Sequence, residues 1–271
     1  MQSTVKDPFY RPITHYSYKT EEVVVKLKKG GMYTPKLIFT DDIVELTPEN
    51  VTDDEAPFRF NHKYIANDVT DKGIAIWGGG FSLFCLILFL WGENLTDPKT
   101  WDVGMLFFIG IPLLVLLFCI YYYVKVPKKE QILDRMRGTI TFGGGLFYKN
   151  ITMPFNEAIF HLNQGGTRGL NAFRLSMVVR PTNLSYAVLT IGNDYKQSMS
   201  LITWYMDKNR PLPPGAAFDP YREADFERRK EEGFLPPLYP SQISTPEATK
   251  EQQKERDKYW KDLDYITNIK Y

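Results

Sequence analysis

Little in this sequence can hold a metal, a disulfide or a polyanion. Two cysteines are too few for a disulfide framework or a thiolate zinc set. Both, Cys85 and Cys119, fall inside long apolar runs. There they read as small apolar fillers, with a meeting of the two thiols as the other reading. The three histidines, His15, His62 and His161, stand far apart without metal-ligand spacing and read as solvated or hydrogen-bonded side chains. A net charge of +1 lacks the basic excess of a dedicated nucleic-acid binder, so no nucleic-acid partner is expected. The glycines at 143–145 and 165–169 have no Gly-Lys-Ser/Thr ending and read as strand-connecting loops. Asp41-Asp42 and Asp53-Asp54 are adjacent acids of the kind common in turns. HExxH and a nucleophile elbow are both missing. The expectation is a protein without catalytic residues or a cofactor.

What the chain does have is two apolar runs without Asp, Glu, Lys, Arg or His. The first, Gly73–Gly92, reads GIAIWGGGFSLFCLILFLWG; the second, 103–124, reads VGMLFFIGIPLLVLLFCIYYYV. Each has the roughly 20 residues a helix needs to cross a hydrocarbon core about 30 Å thick. Neither shows the polar stripe of a helix packed in a soluble core. The reading is therefore a membrane hairpin joined by a polar loop at 93–102. Lys63 and Lys72 precede it, and Lys125, Lys128, Lys129, Arg135 and Arg137 follow it, while the loop holds only Lys99 among three acids. The positive-inside rule then puts both termini in the cytoplasm and the loop outside. Residues 1–11 are polar and read as no cleavable signal, so the first span is expected to act as its own insertion signal. The same five cations, Lys125, Lys128, Lys129, Arg135 and Arg137, are the candidate contacts to anionic lipids, of a non-specific kind. Gly78, Gly79 and Gly80 leave one face of the first span bare, inviting close packing by the second span or by another subunit, so a homo-oligomer stays open.

The flanking segments read as soluble. Residues 1–72 form a β-rich segment with a strand expected at 22–28 and two short strands around a turn at Asp41-Asp42 over 36–46. Residues 125–209 carry a run of short strands at 137–142, 151–155, 173–179 and 186–191. Met199, Ile202, Tyr205 and Met206 then share a face at helical spacing, which predicts a closing helix over 198–208. This is an α+β arrangement: a small cytoplasmic β-sandwich or barrel plugged by a C-terminal helix, attached to a two-helix membrane hairpin. Residues 210–243 mix prolines with aromatics and read as an extended arm with a helical turn at 222–232. Its Phe218, Tyr221, Arg222, Phe226, Phe234 and Tyr239 are types enriched at interface cores, and are the candidate partner-binding residues; the other reading is that the rings pin the arm to its own domain. Residues 244–271 hold an exposed helix expected over 246–264, with Ser244 or Thr245 as N-cap and Glu247 closing a capping box.

The pieces ILDRMRGTITF, ITMPFNEAIF, FRLSMVV and LITWYMDKNRPLPP follow one another in an order that resembles the pleckstrin-homology-like domains of bacterial membrane proteins. With the two spans before them and the tail FDPYREADFERRKEEGFLPPLYP after them, the arrangement over residues 72–260 resembles an uncharacterised family of bacterial inner-membrane proteins associated with type VI secretion gene clusters. The resemblance carries no catalytic residues. It implies a non-catalytic binding protein at the inner membrane, with immunity to a cognate toxin as the leading expectation and an effector protein as partner. An adaptor that loads an effector, a subunit of a membrane enzyme and a lipid-sensing scaffold are the alternatives.

Overall fold

The computed structural model describes residues 9–14, 25, 28–29, 33–34, 43, 45–48, 59–92, 103–144, 147–164, 173–180, 185–188, 195–239 and 247–260. The loop at 93–102 and most of the two short strands expected over 36–46 lie outside these. Of the strand expected at 22–28, Val25 and Lys28 are described, and both are helical.

Nine strands and five α-helices are present among the described residues, in a mixed α+β fold. The strands are β1 (Tyr33–Thr34), β2 (Arg59–Phe60), β3 (Tyr64–Asp68), β4 (Glu130–Asp134), β5 (Thr139–Phe142), β6 (Ile151–Pro154), β7 (Ile159–Gln164), β8 (Phe173–Arg180) and β9 (Ser185–Val188). The helices are α1 (Gly73–Gly92), α2 (Val103–Lys125), α3 (Tyr195–Met206), α4 (Arg222–Glu231) and α5 (Lys250–Trp260). Two compact units form. One comprises Met1–Asp68, Glu130–Phe142 and Ile151–Tyr271; the other comprises Val69–Lys129 and Gly143–Asn150.

The first unit contains two antiparallel sheets, ordered β2-β3-β4-β5-β6 and β1-β7-β8-β9. Strand β3 pairs with β4 over its whole length, from Tyr64↔Asp134 to Asp68↔Glu130. The segment 1–72 and the domain at 125–209, separate in the sequence reading, therefore share one sheet, and the apolar hairpin is an insertion between two of its neighbouring strands. Residues 9–14 belong to the same unit: the Thr14 amide donates to the Thr152 carbonyl at 2.8 Å, Arg11 pairs with Glu130 at 2.6 Å, and the Phe9 ring stacks on Tyr64. Strand β5 begins at Thr139, two residues later than expected. The Asp134 carboxylate accepts the Arg137 amide at 3.0 Å, and Gly138 takes a φ of 62°, so 135–138 is a turn.

The core lies where α3 meets the five-stranded sheet. Ile65, Leu133, Ile140, Phe142, Ile151 and Met153 come from β3–β6, and Met199, Leu201, Ile202, Tyr205 and Met206 from α3. The helix spans Tyr195–Met206, shifted by three residues at its start from the expected 198–208. Its second face is buried as well: Ser200, Thr203 and Trp204 are inaccessible, and Trp204 donates its indole N–H to the Pro211 carbonyl at 2.9 Å. The chain after α3 folds back over that face, which makes α3 a central helix. Gly215 permits this return. A Cβ there would lie 2.5 Å from the Leu46 carbonyl oxygen, and that carbonyl accepts the Ala217 amide.

In the second unit, α1 and α2 pack side by side. Asp71 Oδ1 accepts the Gly73 amide at 2.7 Å and starts α1. Gly78 and Gly79 face α2: a Cβ on Gly78 would sit 3.2 Å from Cys119 Sγ, and one on Gly79 3.4 Å from Cys119 Cβ. Gly80 meets nothing and takes no part in the packing. Cys85 and Cys119 are both free thiols. Both helices are long and apolar enough to cross a membrane, and only 22% and 11% of their most apolar windows are buried, the reverse of a helix inside a soluble core.

Ile202→Ala in the full chain should cost about 2–5 kcal/mol, the usual loss for a large aliphatic side chain in a filled core. Chemical unfolding of the detergent-solubilised protein measures it, and Ile74→Ala, on the exposed face of α1, should leave that same transition unmoved.

Candidate functional site

The candidate residues fall into two sets, one at the base of the apolar helices and one along the segment after α3. The first set starts at Asp71, whose carbonyl accepts the Tyr122 hydroxyl at 3.3 Å. Beside it the Lys72 ammonium lies 4.5 Å from the Tyr123 ring. Lys125 and Lys128 are exposed where α2 ends. Lys129 is not: its side chain packs over Gly143 and donates to the Tyr148 carbonyl, and burial holds its ammonium below the ordinary lysine range. The Phe147 ring lies against Phe118, Tyr121 and Tyr122, at 6.3, 5.5 and 5.6 Å. Aromatic rings and lysines thus alternate around one end of the helix pair.

Of the two arginines that follow, Arg135 is corrected as a lipid contact by its burial, whereas Arg137 stays exposed. Arg137 is held by Asp134 at 2.7 Å and lies over the Tyr10 ring. Arg135 is fully buried. It donates to the Arg210 carbonyl, pairs with Asp225 at 3.5 Å and lies 5.6 Å from the centre of the Tyr205 ring. Its Nε and Nη1 meet no acceptor among the described residues, and burial pulls its pKa below the usual arginine value. A cation followed by alternating residues reads the same whether it ends at lipid or inside a core; the partner that decides, Asp225, is ninety positions downstream.

The segment after α3 is built around that carboxylate. Helix α4 spans Arg222–Glu231, and Asp225 and Arg229 both point inward. Arg228 and Arg229 each meet Asp225 at 2.9 Å. Arg229 forks onto both oxygens of Glu247, at 2.9 and 2.6 Å, and Arg256 of α5 reaches the same carboxylate at 3.1 Å. Burial alone would push the Asp225 carboxyl up. The guanidiniums of Arg135, Arg229 and Arg228 outweigh it and hold the group below the ordinary carboxylate range. Asp207 runs the other way: burial pushes it up, and Arg210 with the amides of Leu238 and Tyr239 only partly offsets that.

The helix expected over 246–264 spans Lys250–Trp260. The expected caps Ser244 and Thr245 lie outside the described residues, and the Glu247 carboxylate is held by Arg229 and Arg256. A capping box is formed by Thr249 and Gln252, whose side chains each accept the other's amide, at 3.2 and 3.3 Å. Helix α4 ends as Gly233 and Phe234 both turn to positive φ, with the Phe234 amide on the Arg229 carbonyl and the Gly233 amide on the Lys230 carbonyl. Non-glycine backbone at φ 46° is tolerated at Phe234 because its ring is buried between Phe226 and Tyr259.

The partner-binding candidates are corrected by the same geometry. Phe218, Phe226 and Phe234 are buried and cannot meet a partner. Tyr221 and Tyr239 are half-buried against the core, and Arg222 donates to the carbonyls of Leu212, Pro213 and Gly215. The described part of the arm, 210–239, is docked by its rings, and its exposed large apolar side chains are Leu235 and Leu238, with Tyr259 from α5, each about half exposed. A cavity of about 520 Å³ is lined by Phe9, His62, Lys63, Tyr64, Met136 and Arg137, among others; burial and the neighbouring Lys63 lower the His62 pKa. Among the described residues no group of three or more His, Cys, Asp or Glu could hold a metal ion.

No protein-family model, no curated protein and no solved structure matches the chain.

Asp225→Asn should destabilise the full chain by about 3–5 kcal/mol at pH 7, because it leaves buried guanidiniums uncompensated. The wild-type carboxyl has a folded-state pKa below its unfolded value near 3.9, so its contribution is complete above about pH 4 and is lost as the pH falls through the folded value. Unfolding curves between pH 7 and pH 2 should therefore show a shallower acid limb in the variant. An unchanged limb would mean that Asp225 is not the titrating group.

Proposed function

We propose that this chain is a non-catalytic binding protein of the bacterial inner membrane, in which α1 and α2 cross the bilayer and the sheet-containing unit neutralises a cognate toxin of a type VI secretion system. The family resemblance over residues 72–260 is the observation that carries the secretion reading. The pleckstrin-homology-like reading is supported by two antiparallel sheets followed by an amphipathic helix that fills the core between β3 and β6.

The membrane reading is supported by length, apolarity and exposure together. Burying the exposed faces of Ile74, Phe81, Phe84, Phe107, Leu114 and Val124 in lipid removes from water a surface that a soluble protein does not keep. Topology is supported by the chain path. The Val69 amide donates to the Lys129 carbonyl at 2.9 Å, so the chain leaves for α1 and returns from α2 at one place. Two crossings then put both flanks on the same side, and the excess of lysine and arginine there makes that side the cytoplasm. The ten-residue loop at 93–102 is too short for a partner interface, which takes roughly 800 Å² and 20–30 residues a side. A toxin would instead meet the folded unit, and Leu235, Leu238 and Tyr259 are exposed apolar anchors for it.

Two measurements test this. A membrane-impermeant maleimide should label Asn94→Cys on intact cells and Glu231→Cys only after permeabilisation; labelling of Glu231→Cys on intact cells overturns the orientation. Cells lacking the gene should be killed by the neighbouring toxin and rescued by the intact protein, whereas Leu235→Asp with Leu238→Asp should lower protection at equal protein level. Equal killing with and without the intact protein removes the immunity reading.

A further inference from the structure

The loop joining β5 to β6 clusters with the apolar helices rather than with its own sheet. Its Phe147 ring touches Phe118, Tyr121 and Tyr122 of α2, which precede the helix end at Lys125 by three to seven residues. At 1.5 Å rise per residue, the ring sits about 5–10 Å inward of the basic end of the helix. Phe147 is 40% exposed and Tyr148 61% exposed, so both rings keep an outward surface. The loop is held there from within. The Lys129 ammonium grips the Tyr148 carbonyl, and Gly144 approaches Lys149 so closely that a Cβ would lie 2.3 Å from its carbonyl oxygen. Around this tip Lys72, Lys125, Lys128 and Lys149 are exposed.

We propose that residues 147–150 form a third membrane contact, with Phe147 and Tyr148 seated at the boundary of headgroups and acyl chains, in the leaflet where α1 begins and α2 ends. The inference rests on the reading that α1 and α2 cross the bilayer. Its occupant is the phospholipid bilayer, since the tip continues the apolar surface of α2 without a break and the depth of about 5–10 Å is the depth at which interfacial aromatic rings lie. The surrounding lysines match anionic headgroups.

The test uses the full-length protein with Cys85→Ala and Cys119→Ala, reconstituted in phosphatidylcholine–phosphatidylglycerol vesicles. Single cysteines replace Tyr148, Phe84 on the lipid-facing side of α1, or Glu227 on the exposed side of α4, each labelled with an environment-sensitive fluorophore. Tyr148→Cys keeps Phe147 and the backbone carbonyl at 148 that Lys129 grips. Lipids carrying a nitroxide high on the acyl chain should quench position 148 several-fold more than position 227, and deep nitroxides should quench position 84. Quenching at 84 without quenching at 148 overturns the loop contact and leaves the membrane hairpin standing. Quenching at neither position overturns both.

Discussion

The pairing of β3 with β4 is the constraint on which the rest of the fold depends. It joins residues separated by the whole apolar hairpin, from Tyr64↔Asp134 to Asp68↔Glu130. Closing a flexible loop of roughly 60 residues would cost about 4 kcal/mol beyond a constant term. A rigid helical pair largely removes that cost, because α1 and α2 pack at Gly78, Gly79 and Cys119 and return the chain beside its point of departure. Once β3 and β4 are paired, β5 and β6 follow by short connections, and the sheet presents Ile65, Leu133, Ile140 and Met153 to one helix. The hairpin is thus a folding element of the sheet as well as an apolar appendage.

A second constraint acts at the other end of the chain. Fully buried guanidiniums are costly, and a buried ion pair replaced by apolar groups is often no less stable. The cluster around Asp225 and Glu247 therefore gains little in net stability over a greasy core. What it fixes is position. Arg135 follows β4, Asp225 and Arg229 lie on α4, Glu247 precedes α5, and Arg256 lies on it. An apolar contact would allow α4 and α5 to slide, whereas a bidentate pair holds them in one register. The rings of Phe226, Phe234 and Tyr259 then fill the space that the charges define.

How much of this was legible in the sequence depended on the range of each signal. The apolar helices were legible because about twenty consecutive residues without a charge set both their length and their apolarity. Helix α3 was legible because Met199, Ile202 and Met206 repeat at its own period; its second buried face was not, since the cover comes from Pro211 and beyond. Strand β3 is only YIAND, with Ile65 and Ala66 as its buried apolar residues, and its partner lies beyond the two apolar runs. No local pattern could join it to β4. The Thr249–Gln252 box of α5 was not legible for a different reason: Glu247 also suits a capping box by its spacing, and no local pattern shows that its carboxylate is bound by Arg229 and Arg256.

The same logic separates the two sets of candidate residues. Composition marked basic residues after the second run and aromatics after α3, and a letter alone does not say which of them face outward. Burial decides it. Arg135 is spent on Asp225, Phe218 and Phe226 on the core, and Arg222 on three backbone carbonyls. Lys125, Lys128, Tyr148, Leu235, Leu238 and Tyr259 keep their exposure. Residues drawn inward by strong partners define the shape, and a side chain's distant partners, which no local pattern shows, decide which of two like residues stays at the surface. The outward lysines Lys125 and Lys128 follow α2, and the outward leucines Leu235 and Leu238 follow α4.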